Sequence, residues 1–264
     1  MASFVKNGVR CYGHLVFPGL SSARVLPTTS SLRQQQGEGL TVVIPTAGQG
    51  KRMKSYGPKA LIELRQGETV LSRQLTILRK RFPLADFVVV TGFESDKICR
   101  HLPFLVRVVE NQMHEETNVA RSLDLGLKAC VDERVLLVYG DLVFNSKTFE
   151  DMPQGESWAL VDRPVNGQTQ LNSLEVGITV IDNQVTRFAY GLDAKWGQVA
   201  FLEGSELQTF RRLAADRDRH RCFGFELLNA VLDKGGRLAA HSPAGMKLVE
   251  IDCSKDIELA QRIR

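Results

Sequence analysis

A chain of 264 residues, 43% hydrophobic and 24% charged, is long and apolar enough to bury a full core, which excludes a disordered or fibrous protein. Its formal charge of +4 is concentrated at the start, where Lys6, Arg10, Arg24 and Arg33 face only Glu38; the near-neutral remainder offers no nucleic-acid surface. The five cysteines are odd in number and form no CxxC pair, against a disulfide or zinc framework, and no apolar run reaches the roughly 18–20 residues of a membrane span; a soluble, cytoplasmic protein with reduced thiols is expected.

Residues 1–38 show no sustained periodicity, and their Ser, Gln, Gly and Arg content suits a disordered or loosely docked tail, or an acid-poor targeting peptide. The folded domain is expected over 39–264. Leu40 to Pro45 reads as a buried strand, and Leu61 to Leu64 as a short extended piece. A helix is expected from Thr69 to Phe82, with Leu71, Leu75, Leu78 and Phe82 on one face and Pro83 as its stop. Strands over Asp86–Thr91 and Leu105–Val109 flank a short helix at Glu94–His101. Thr117 is placed to cap a helix of Asn118–Cys130, and Val135–Tyr139 repeats the buried-strand pattern.

Later strands are expected at Ala159–Asp162, Val176–Ile181, Val185–Tyr190 and Leu248–Ile251, the middle pair joined by a tight Asp182-Asn183 turn. Helices are expected at Ser205–Ala214, Phe223–Leu232 and Ser254–Ile263, the last capped by Ser254. Strands alternating with helices imply a three-layer α/β/α, doubly wound, mostly parallel sheet of Rossmann-like form, which places ligands at the carboxyl ends of its strands.

Two such ends carry chemistry. After Pro45 the chain reads Thr46-Ala47-Gly48-Gln49-Gly50-Lys51-Arg52-Met53, then Pro58-Lys59-Ala60-Leu61. Small residues let backbone N–H groups approach phosphate oxygens, and the cations neutralise them. The spacing fits neither GxGxxG nor GxxxxGK[ST]. Asp141 ends the strand before it, and Asp252 ends the last strand. Two aspartates from distant strand ends suit a hard cation such as Mg²⁺, although Asp141 is also placed to cap a turn and Asp252 to cap the last helix.

The glycine and Pro-Lys stretches resemble the signature of nucleotidyltransferases of the sugar-nucleotide and MobA-like kind, roughly Ala-Ala-Gly-x-Gly-x-Arg-Met followed by Pro-Lys-x-Leu. Here Thr46-Ala47 stands at the first two positions, and Pro45 replaces an aliphatic residue. Thr117-Asn118-Val119-Ala120-Arg121-Ser122-Leu123, Tyr139-Gly140-Asp141-Leu142-Val143-Phe144 and Val249-Glu250-Ile251-Asp252 are similar in order and spacing to cytidylyltransferases acting on phosphocholine and related small phosphorylated alcohols or phosphonates. The resemblance implies the nucleotide-diphospho-sugar transferase fold and transfer from a nucleoside triphosphate, CTP favoured, to a small phosphorylated acceptor. Arg52, with Lys51 beside it, then faces the departing pyrophosphate, and Lys59 holds the α-phosphate or the incoming phosphate. Asp141 and Asp252 hold Mg²⁺. The Ala47-Gly48 turn with Gly50, the Thr91-Gly92 strand end, Asn118 and Ser122 lie against the nucleotide, Asn118 being equally a helix cap.

For the acceptor, Tyr190, Asp193 and Trp196 are expected as one wall of an aromatic cage, or else as ordinary core aromatics. The run Asp216 to Arg221 reads as a solvated loop, or as cations meeting an acidic acceptor. A nucleotide-sugar glycosyltransferase on the same kind of sheet would need Asp-x-Asp, and Gly140-Asp141-Leu142-Val143 offers one carboxylate. A non-catalytic nucleotide-binding module would not need Arg52, Lys59, Asp141 and Asp252 together.

Overall fold

The computed structural model describes residues 2–6, 9–13, 36–103, 105–162, 175–192 and 194–263. Of the stretch read as a tail, Ala2–Lys6 (β1) and Val9–Gly13 (β2) form an antiparallel pair, and β2 joins the edge of the main sheet. Every residue of Leu40–Pro45 (β3) is buried. The strand lies between Asp86–Thr91 (β6) and Arg134–Val138 (β8), parallel to both, with Arg107–Glu110 (β7) parallel beyond β6. Glu63–Arg65 (β4) and Glu68–Thr69 (β5) make a small separate ladder.

Side chains alternate across β3 and so serve two cores. Val42 and Ile44 join Leu71, Leu75, Leu78 and Phe82 of the segment through Val70–Arg81 (α1), with Ile98 of Ser95–His101 (α2). Val43 faces the other way, with Leu123 and Leu127 of Val119–Ala129 (α3), Phe210 of Gly204–Ala215 (α4) and Leu228 of Gly224–Asp233 (α5). Helices therefore cover both faces, which is why these strands read as unbroken apolar runs. The three-layer, doubly wound α/β fold is as expected, with its parallel strands gathered at the centre.

Beyond β8 the sheet becomes mixed. Its order is β1-β2-β7-β6-β3-β8-β13-β10-β14-β12-β11, where Trp158–Asp162 is β10, Val176–Ile181 β11, Gln184–Tyr190 β12, Ala194–Glu203 β13 and Ala239–His241 β14. The sequence reading missed β13, which runs antiparallel between β8 and β10. Gly197 and Gln198 hide it: a Cβ on Gly197 would lie 2.7 Å from Leu160 Cδ2, and Gln198 has φ +52 opposite a break in the register with β10. A bulge of this kind destroys the alternation that marks a strand. Leu142–Phe144 (β9) pairs antiparallel with Leu248–Glu250 (β15) apart from the main sheet.

Two caps shift by one residue. Asn118, rather than Thr117, is the N-cap of α3, its side chain accepting from Val119 N at 2.8 Å. At Ser254–Ala260 (α6) the Asp256 carboxylate accepts from Cys253 N at 2.6 Å and Asp252 N at 2.8 Å, so Ser254 does not cap. Cys99, Cys130, Cys222 and Cys253 are free thiols. Among the described residues, no helix is long and apolar enough to cross a membrane.

His241 is 4% exposed, with Nε2 3.3 Å from the Thr148 carbonyl and its ring against Trp158. Burial lowers its pKa below the ordinary imidazole value, against the opposing pull of that carbonyl and Asp151. The unfolded chain thus binds the proton first, and stability present above about pH 6.5 is lost as pH falls towards the lowered value. Between pH 7 and 5.5 the urea midpoint of the wild type is expected to fall relative to that of His241→Gln, a comparison that separates His241 from His220, lowered in the same sense by burial and by Arg121, and from Glu250, raised by burial and so opposite in sign.

Candidate active site

The glycine turn after β3 is held by its neighbours rather than by its own sequence. Thr46 N donates to Val90 O at 2.7 Å, Phe93 N to Ala47 O at 3.1 Å and Gly140 N to Pro45 O at 3.1 Å. Gly140 has to be glycine for this: a Cβ there would lie 2.5 Å from Thr46 Cγ2 and 2.7 Å from Pro45 O. Two strand ends consequently touch, and Asp141 stands beside the phosphate-type turn. A cleft of about 210 Å³ lies between them. Ala47, Gly48, Gly50 and Lys59 form one wall, Asn118 and Ser122 the other, and Asp141 closes the base.

The Tyr139–Leu142 turn that carries Asp141 hangs from α1. Gln74, 1% exposed, donates from Nε2 to Tyr139 O at 2.8 Å and to Leu142 O at 2.7 Å. From the other side Ile251 N donates to Asp141 O at 2.9 Å, which brings in the end of β15. Ile251 is fully buried, so Glu250 and Asp252, two apart on extended chain, share the opposite face. One oxygen from each of Asp141, Glu250 and Asp252 lies within 4.8 Å of the others.

Lys59 reaches this group, with Nζ 3.1 Å from Asp141 Oδ2 and 2.6 Å from Asp252 Oδ1. Burial works against its charge, but Asp141 and Asp252 outweigh that and hold its pKa above the ordinary lysine value. Glu250 is pushed up to about 7 by burial and by the charges of Asp141 and Asp252, with Lys195, 3.6 Å away, pulling it down. Two unit charges about 5 Å apart repel by roughly 3 kcal/mol at an effective dielectric of about 20. Three hard oxygen donors, with more negative charge than Lys59 neutralises, fit a divalent cation such as Mg²⁺.

Most sequence-assigned residues converge here. Ala47, Gly48, Gly50, Lys59, Asn118, Ser122 and Asp141 line the cleft, and Asp252 meets them through Lys59. The backbone of Lys51 and Arg52 opens a short 3-10 helix directly after Gly50, while their side chains lie outside the described residues. Thr91 and Gly92 do not line the cleft. Thr91 is fully buried, sharing a hydroxyl contact with Ser95 at 2.8 Å, and its carbonyl accepts from Asn111 N at 2.7 Å. Gly92 sits behind Ala47 and His114. The first amides of α3 are already engaged, Asn118 N to His220 O and Ala120 N to Cys222 O.

Sequence reasoning missed Asn111, His114 and Tyr139 in the cleft, and Glu250 in the carboxylate group. For Glu250 a signal was present, the acid-apolar-acid alternation of Glu250-Ile251-Asp252 at a strand end. The acceptor wall requires correction. Trp196 is 3% exposed, lies edge-on between Phe188 and Tyr139, and donates Nε1 to Val199 O at 3.3 Å, so it is core of β13. Tyr190 is half exposed and packs against Phe225, and Asp193 lies outside the described residues. In the Asp216–Arg221 run, Arg219 pairs with Asp216, and Arg221 donates to Glu116 O.

Replacing Gln74 by Met keeps its volume and removes both donors, leaving two inward carbonyls without them. Tyr139 O keeps the Leu142 N–H, so equilibrium denaturation is expected to show a loss of about 1–3 kcal/mol.

Comparison with known proteins bears on the family and the fold. The family described as MobA-like NTP transferase domain matches residues 42–223. A bifunctional IPC transferase and DIPP synthase from Rubrobacter xylanophilus is 27% identical over 238 residues, covering 86% of this chain and 52% of its own; the chain thus spans about half the length of that relative. Among solved structures, the CTP:phosphocholine cytidylyltransferase of Streptococcus pneumoniae superposes with a TM-score of 0.69 at 16% identity, covering 84% of this chain and 97% of its own. The inositol-1-phosphate CTP transferase of T. maritima gives 0.68 at 18%, covering 84% and 95%. At these identities the structural likeness speaks for the fold.

Proposed function

This chain belongs to the MobA-like NTP transferase domain family, a nucleotidyltransferase family, and on that premise we propose that it is a cytidylyltransferase. It joins CTP to a small phosphorylated alcohol, phosphonate or sugar phosphate and releases pyrophosphate. The observation that carries the reading is the meeting of Lys59, Asp141 and Asp252 at the base of a cleft walled by the glycine turn. The names of the two similar solved structures, which speak of CTP, phosphocholine and inositol-1-phosphate, support the choice of base and acceptor.

The reaction is an in-line displacement at the α-phosphorus. An oxygen of the acceptor phosphate attacks, the bond to the bridging oxygen breaks, and pyrophosphate leaves with that electron pair. The nucleophile is already anionic, so no general base is needed, and the barrier is lowered by positioning and charge neutralisation. Backbone N–H groups of the Ala47–Gly50 turn approach the triphosphate, and Gly50, at φ +56, gives the turn its left-handed bend. By the sequence signature Arg52 and Lys51 are the cations assigned to the leaving pyrophosphate, and Lys59 steadies the reacting phosphate. Asp141 and Asp252, with Glu250 beside them, would hold Mg²⁺, which supplies further neutralisation of phosphate charge when bound. Asn118 and Ser122 face the nucleoside from α3.

Incubation with Mg²⁺, each nucleoside triphosphate and a panel of phosphorylated acceptors should give pyrophosphate release, greatest with CTP. No release in any combination would overturn the activity. Asp141→Ala is expected to lower turnover by about a thousandfold or more, a barrier increase of about 4 kcal/mol, with the circular dichroism spectrum unchanged. Full activity in that variant would remove the metal assignment.

A further inference from the structure

We infer that Lys59 is a tethered counter-cation which occupies the space between Asp141 and Asp252 and keeps bare divalent metal out until a triphosphate draws its ammonium away. The inference rests on the nucleotidyltransfer reading of the same site and adds an order of events to it. Nζ makes a two-pronged contact with the aspartates, at 3.1 and 2.6 Å, and the lysine side chain is only 15% exposed. Its stem is guided there by the phosphate turn: a Cβ on Gly50 would lie 3.1 Å from Lys59 Cγ and 3.4 Å from Cε. The ammonium is thus packed across the turn into the carboxylate pair.

A divalent cation of the Mg²⁺ type binds carboxylate oxygens at about 2.0–2.1 Å. An ammonium already 2.6 and 3.1 Å from both aspartates fills the same gap, so the two cations exclude one another. Moving Lys59 to solvent would take its ammonium from Asp141 and Asp252, whose oxygens lie within 4.8 Å of each other and of Glu250, which keeps Lys195 at 3.6 Å. Moving it to a triphosphate gives it a new anion while metal takes over the aspartates. Metal and triphosphate therefore assist each other's binding, and linkage makes the assistance reciprocal. Packing of the Lys59 stem across Gly50 of the glycine turn lets one side chain serve both anions in succession.

The test uses the nucleotide-free full chain titrated calorimetrically with MgCl₂. Lys59→Met is expected to bind Mg²⁺ at least about tenfold more tightly than the wild type, although it is catalytically impaired; Lys59→Arg, which keeps a cation, should show no comparable gain. Equal or weaker binding by Lys59→Met, or an equal gain by Lys59→Arg, would overturn the inference. Should Lys59→Met fold poorly, Lys59→Gln followed by thermal unfolding gives the same sign: MgCl₂ should raise its midpoint more than that of the wild type, and a smaller rise overturns the inference. Failure of the pyrophosphate assay with every nucleotide overturns the reading of the reaction, while the nucleotide-free titration still decides the role of Lys59.

Discussion

The ammonium of Lys59 lies between carboxylates that come from two strand ends far apart in the chain, Asp141 after β8 and Asp252 after β15. Like charges do not gather at a half-buried point unless covalent geometry and hydrogen bonds force them to. Here the force is spread over the fold. Gly140 lets two turns touch, Gln74 anchors the turn that carries Asp141, and Ile251 N ties the last strand to Asp141 O. The four-strand parallel centre and its two covering helical layers make those anchors rigid.

That arrangement explains why the site sits where it does. Parallel strands send their chain ends to the same edge of the sheet, and the short connections leave a crevice outside them. β3 contributes the glycine turn, β8 contributes Asp141, and α3 closes the far wall. The small β9–β15 ladder is the addition that matters chemically, because it carries Glu250 and Asp252 back across the molecule to the centre. Beyond Glu250 the charge pattern continues through Lys195, which also pairs with Glu175 at 2.5 Å. Lys195 lies on β13, so the mixed half of the sheet supports the carboxylates as well as enlarging the core.

Where the reading of individual residues failed, local signal was weak or ambiguous. Trp196 was open between a cage wall and core because a bulge at Gly197 and Gln198 breaks the alternation of β13; burial in an aromatic stack decides for core. At the Thr91-Gly92 strand end, expected against the nucleoside, the Thr91 hydroxyl and carbonyl engage Ser95 and Asn111. Thr117 and Ser254 are good capping residues by type, but the caps belong to Asn118 and to the side chain of Asp256. At the two caps several neighbours compete for the same backbone groups, and propensity cannot choose between them.

The sequence by itself determined the class of the protein. Unbroken apolar runs at β3, β6 and β8 demand cover on both faces, and the order of glycine turn, Pro-Lys, Gly-Asp and Glu-Ile-Asp carries the chemistry in residue types that few other reactions need together. Tertiary structure alone decided which of those residues meet and in what state. That Lys59 bridges Asp141 and Asp252, that Glu250 joins them, and that Trp196 does not reach the cleft depend on contacts between segments as much as 193 positions apart, as for Lys59 and Asp252. Periodicity reports the immediate neighbours of a residue along the chain; it carries no record of which distant strand end packing will place beside it.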